Sequence, residues 1–144
     1  MKTEFSFKDL YAIRKVNLIP FSESVIINDK IDYTEIYLNV LVFVPFGIYI
    51  SILKPDWSFI RKVIPIAATS LLFETLQYIF AIGAADITDF LMNTLGGTLG
   101  IIAYFIARKI FKNEVKTNKI VNILASIGSI GFIILAGILF LANV

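Results

Sequence analysis

Polar residues are scarce along this chain and gather between four long apolar stretches, at about Ile36–Leu53, Val63–Ile82, Phe90–Phe111 and Ile120–Asn143. At about 1.5 Å of rise per residue, each is long enough to cross a hydrocarbon core of about 30 Å. All four are predicted as helices, because backbone polar groups in lipid must be satisfied within the segment and the lengths far exceed those of barrel strands. Pro45 and Pro65 fall inside the first two stretches and are tolerated in that setting, with Phe43, Pro45, Phe46 and Gly47 suggesting a local kink. The segment before them, Met1 to Glu35, has no apolar core of signal-peptide length and is predicted to lie at the membrane surface. Within it, Asn17-Leu18-Ile19-Pro20-Phe21 combines a turn-forming Pro with apolar residues, so that it either dips into lipid as a re-entrant lid or caps the helices.

Composition agrees with this pattern. Of the 144 residues, 58% are hydrophobic and only 17% charged, and the mean hydropathy is +0.83, well above an ordinary soluble domain. The expected fold is an all-α integral membrane protein: a four-transmembrane-helix bundle with an N-terminal surface or re-entrant segment, in a single domain over residues 1–144. The net charge of +2 comes from Lys and Arg at the ends of apolar stretches, an anchoring pattern rather than a nucleic-acid face, so nucleic acid is not an expected partner and membrane lipid is. With no Cys and no His, the chain offers no disulfide, thiol nucleophile or imidazole base. Basic residues also bear on orientation. Five precede the first span, three (Lys54, Arg61, Lys62) follow it, none lies between Gly83 and Asp89, and five lie between Arg108 and Lys119. An external N-terminus puts eight inside and five outside, and the Gly83–Asp89 turn then faces out.

The chemistry must come from polar residues set within apolar surroundings. A charge near the bilayer centre costs about 2.5–3.5 kcal/mol on insertion scales, so Glu74 needs a partner, a proton or a task. Gln77 and Tyr78 share its side of the second helix, and Asp89, Asn93, Gly96, Gly97 and Gly100 share one side of the third. With Asn39 on the first helix and Asp86 in the turn, these groups are expected to form one outward-facing acidic pocket: Asn39, Glu74, Gln77, Asp86, Asp89 and Asn93. Plainer roles compete. Asp86, Thr88 and Asp89 suit the first turn of a helix, and the amides suit interhelical glue. The glycines, with Pro45 and Gly47, are expected to serve packing, since small residues at four-residue spacing let helices approach.

Four ordered motifs carry a resemblance: N-L-I-P-F at Asn17–Phe21, N-x-x-x-F-x-P-F-G at Asn39–Gly47, F-E-x-x-Q at Phe73–Gln77 and D-I-T-D-x-x-x-N-T-x-G-G at Asp86–Gly97. Over about Asn17 to Arg108 the chain resembles VanZ-like membrane proteins. The resemblance implies a multi-pass protein of the cytoplasmic membrane, linked to reduced susceptibility to teicoplanin, a glycopeptide with an acyl tail. Two departures stand out: the chain starts too near N-L-I-P-F to be expected to carry the additional leading helix of many members, and Gly83, Ala84 and Ala85 stand where some members have an Arg. The leading expectation is binding of an amphiphile, either the lipoglycopeptide or a cell-wall lipid precursor or other envelope lipid, in the acidic pocket without a cofactor. The alternative is an enzyme acting on an envelope lipid, with Asp86 and Asp89 holding a divalent cation and Glu74 serving as acid or base. A third reading is a purely structural partner of other envelope proteins.

Overall fold

Four helices emerge from the apolar stretches: α1 (Thr34–Leu53), α2 (Phe59–Phe80), α3 (Ile87–Phe111) and α4 (Glu114–Ala142). The computed structural model describes residues 16–21, 26–27, 30–31, 33–81 and 84–142, of which 26–27, 30–31, 129 and 131–142 are described by backbone alone. Residues 1–15 of the expected surface segment, together with Ile82 and Asn143 of the expected spans, lie outside the described residues. Each helix starts two to six residues before its apolar stretch. Hydropathy marks where lipid begins, whereas the helix is set by its backbone bonds and runs on through interfacial residues such as Thr34, Arg61 and Lys116. Among the described residues, α1, α2 and α3 are long and apolar enough to cross a membrane. Pro45 and Pro65 sit inside continuous helices.

Helix ends follow local chemistry. Ser58 caps α2, its hydroxyl accepting from the Arg61 amide at 3.5 Å. The other end of α2 closes on Ala81, in the left-handed region at φ 53, whose amide returns to the carbonyls of Gln77 and Tyr78.

The chain divides into two compact units, residues 1–102 and 103–144. In the first, Phe43, Ile66 and Ile101 form a small buried core with Phe46, Ile50 and Val63 packed against it, and Phe43 meets Phe73 edge-on at 6.0 Å between ring centroids. Large apolar side chains elsewhere on the helices point outward, among them Leu41, Leu72 and Ile79. This is the arrangement expected where lipid is the solvent and close packing, not exclusion from water, holds helices together. The closest packing is at glycines. A Cβ at Gly47 would collide with the Gly97 carbonyl, one at Gly96 with the Val40 carbonyl, and one at Gly100 with the Val44 carbonyl. Thus α1 and α3 meet backbone to backbone. A Cβ at Gly97 would strike the side chain of the fully buried Ile66 on α2.

In the second unit, Lys112 turns the chain with φ 50, and Asn113 caps α4 by accepting from the Lys116 amide at 3.0 Å. Buried Tyr104 donates to Asn118 Oδ1 at 2.7 Å, and an exposed Arg108–Glu114 ion pair at 2.7 Å closes the turn.

Short extended pairings complete the backbone. Strand β1 (Val16–Asn17) pairs in parallel with β4 (Ala85–Asp86), and β2 (Ile26–Ile27) pairs antiparallel with β3 (Lys30–Ile31). Neither is visible in the hydropathy pattern, since two-residue strands carry no periodicity.

Candidate functional site

Asp86 is the hub of a polar network at the start of α3. It stands one residue before the helix, and its Oδ1 accepts from the Thr88 amide at 2.6 Å, satisfying one of the unpaired donors of the first turn. Its Oδ2 accepts from Asn17 Nδ2 at 2.8 Å, and its own amide donates to Glu74 Oε2 at 2.8 Å. The carboxylate is therefore held from two sides and its backbone from a third. Asn17 uses its other side-chain atom locally, Oδ1 accepting from the Ile19 amide at 3.0 Å, the short turn that Asn favours. One bond further along, the Phe21 amide donates to Thr88 Oγ1 at 2.9 Å. Phe21 has φ 62, a conformation that costs an L-residue about 1–2 kcal/mol and that the surrounding bonds must offset. Residues 16–21 thus form a strap tied to the beginning of α3.

Two further pairs lie apart from the hub. Asn39 Nδ2 donates to Asp89 Oδ1 at 2.5 Å, joining α1 to α3. Deeper, Asn93 Nδ2 donates to Ser70 Oγ at 3.1 Å, and the Ser70 hydroxyl donates to the Phe90 carbonyl at 3.5 Å, joining α3 to α2. Gln77 Oε1 is buried and accepts no hydrogen bond from the described residues.

A cavity of about 320 Å³ opens between the strap, α2 and α3. The strap contributes Val16 and Leu18, α2 contributes Leu71, Glu74 and Tyr78, and α3 contributes Ile87 and Phe90, with Asp86 beside them. Its walls are almost wholly apolar apart from Glu74, which is only 6% exposed, and Asp86. Of the six expected pocket residues, Glu74 and Asp86 line this cavity, whereas Asn39, Gln77, Asp89 and Asn93 do not. Among the described residues, Arg108–Glu114 is the one ion pair, so none of the three carboxylates Glu74, Asp86 and Asp89 meets a Lys or Arg.

A family model described as VanZ/LLP1 matches residues 2–108, which takes in the strap, α1, α2, the cavity and every bond of the network above. The chain belongs to the VanZ/LLP1 family. It is also 37% identical over 111 residues to Protein VanZ of Enterococcus faecium. That match covers 77% of this chain and 65% of the relative, so the chain accounts for less than two thirds of the relative's length. No solved structure matches it. Family membership and three helices able to cross a bilayer make this VanZ/LLP1 chain a membrane protein.

Three polar residues of this VanZ/LLP1 region carry contacts that hydropathy does not announce: Asn17, Ser70 and Thr88. The N-L-I-P run does signal a turn at Asn17, but nothing local tells that Asn17 reaches a partner 69 residues away. Ser70 and Thr88 look like ordinary helix residues. As for metal binding, among the described residues no group of three or more carboxylates converges closely enough to hold an ion. Both oxygens of Asp86 are engaged by protein donors.

The bonds give the strap a measurable worth. Asn17→Ala removes the donor to Asp86 and the acceptor for Ile19, and a hydrogen bond to a charged group contributes about 1.5–3 kcal/mol. The expected outcome is faster amide exchange confined to residues 16–21 and 84–88, with the helices unchanged. Exchange that rises equally in α1 would show that the strap and helices are one cooperative unit instead.

Proposed function

We propose that this VanZ/LLP1 chain binds an amphiphile in the cavity between the strap, α2 and α3, with the apolar part against Leu71, Ile87 and Phe90 and a cationic or hydrogen-donating group at Glu74 and Asp86. The reading takes α4 as a fourth span and places the cavity on the outer face of the cytoplasmic membrane, where the scarcity of Lys and Arg between Gly83 and Asp89 would put it. The observation that carries it is the pairing of an apolar cavity of about 320 Å³ with a nearly buried carboxylate that has no basic partner among the described residues. Carboxylates in apolar surroundings mark functional sites because their retention is costly. An apolar slot with a few convergent polar groups is the usual form of a small-ligand site.

The resemblance to VanZ-like proteins names one amphiphile, the acylated glycopeptide teicoplanin, and an envelope lipid is the natural counterpart. The test is growth of a sensitive Gram-positive host expressing the chain in teicoplanin and in vancomycin. Protection against teicoplanin that is absent for vancomycin is the expected result, because the apolar walls read the acyl chain. Equal protection against both would rule out acyl-chain recognition.

A further inference from the structure

The strap tip is an apolar surface on an irregular segment, which in a membrane protein is less common than apolar surface on a helix. Leu18 is 73% exposed, Ile19 68% and Phe21 51%, side by side, with Pro20 between the last two. Irregular backbone is normally kept out of lipid because its amides would go unpaired there. Here the outermost part of the tip has been relieved of its donors: over residues 19–21 the Ile19 amide is taken by Asn17 Oδ1, the Phe21 amide by Thr88 Oγ1, and Pro20 has none. Over residues 19–21 only carbonyl acceptors remain unpaired by these bonds, a state suited to the headgroup and upper acyl region rather than the bilayer centre. The tip's height agrees. It is fastened to Asp86 and Thr88 at the first turn of α3, which is one end of a membrane-length helix, and nearby α2 ends at Phe80, itself 63% exposed. The apolar tip is therefore continuous with the lipid-facing surface of the spans.

We propose that residues 18–21 form a lipid-inserting wedge, held rigid by Asn17 and Thr88, whose partner is the upper acyl region of the bilayer leaflet. Leu18 belongs both to this wedge and to the cavity wall, so the mouth of the cavity opens to lipid. Amphiphilic side chains commonly mark such interfaces, but three bare apolar ones on a pinned turn act as an anchor.

The test uses the full chain in phosphatidylcholine vesicles. The single native Trp57 is replaced by Phe to clear the background, and Ile19→Trp and Leu18→Trp are made separately in that chain. Lipids brominated near the headgroup end of the acyl chain, or near its terminal methyl, then report depth. Blue-shifted emission with greater loss of intensity to the shallow bromines than to the deep ones, at either position, supports the wedge. Emission at both positions that is insensitive to bromine overturns it. If that emission is water-like the tip is solvated, and if blue-shifted the tip is covered by protein instead. Correct folding of each variant is checked by helical circular dichroism and monodispersity before the lipid measurement.

Discussion

Gly47→Val is expected to prevent the three spans from assembling. The first added carbon already meets the carbonyl of Gly97 and the amide of Ile101, both backbone atoms of α3. A clash with backbone cannot be relieved by a rotamer change, so α1 and α3 must separate, and the neighbouring approaches of Gly96 to Val40 and Gly100 to Val44 are lost with them. Overpacking a well-filled site costs about 1–3 kcal/mol and occasionally more, and this site lies at the upper end because several contacts fail together. Gly97→Ala should be milder, since its new carbon meets the side chain of Ile66, and Ile66→Ala in the same chain should restore part of the loss. Gly128, with open space above it, provides the reference: Gly128→Ala should leave stability unchanged or slightly raised. Thermal unfolding in detergent ranks the series. A Gly47→Val chain that melts with Gly128→Ala would mean that α1 and α3 do not pack by their glycines.

The second large effect concerns Glu74, where charge and hydrogen bonding can be separated. Glu74→Gln keeps an oxygen able to accept from the Asp86 amide but removes the negative charge, whereas Glu74→Leu removes both. Leaving that amide without an acceptor costs about 1–3 kcal/mol, so the Leu variant should loosen the strap and melt earlier. The Gln variant should fold as the parent does and keep its strap, yet lose most of the teicoplanin protection that the proposed function expects of the parent chain at matched membrane levels. If protection survives Glu74→Gln, the carboxylate serves the fold alone and the cavity does not recognise a cationic or donor group through it.

Much of this could be anticipated from the chain itself, for reasons that differ by residue. The helices are legible because a span of lipid demands a long apolar run, and the glycine contacts are legible because Gly96, Gly97 and Gly100 share a face. Glu74 and Asp89 announce themselves as carboxylates in apolar company. Their partners do not. Whether Asp89 turns to Asn39 or joins Glu74 and Asp86 depends on helix rotation by a fraction of a turn, which hydropathy leaves open. The strap is less legible still, because the partner of Asn17 is set by how α1, α2 and the turn before α3 are assembled and by nothing in the adjacent sequence.

That pairing imposes an order on biosynthesis. Asn17 leaves the ribosome 69 residues before Asp86, which at about 5–20 residues per second is roughly 3–14 s ahead of it. During that interval α1 and α2 leave the ribosome while the strap has no docking surface. Its attachment is consequently a late event in maturation, and a block to the chain's upstream end would stall a protein whose first two helices are already made.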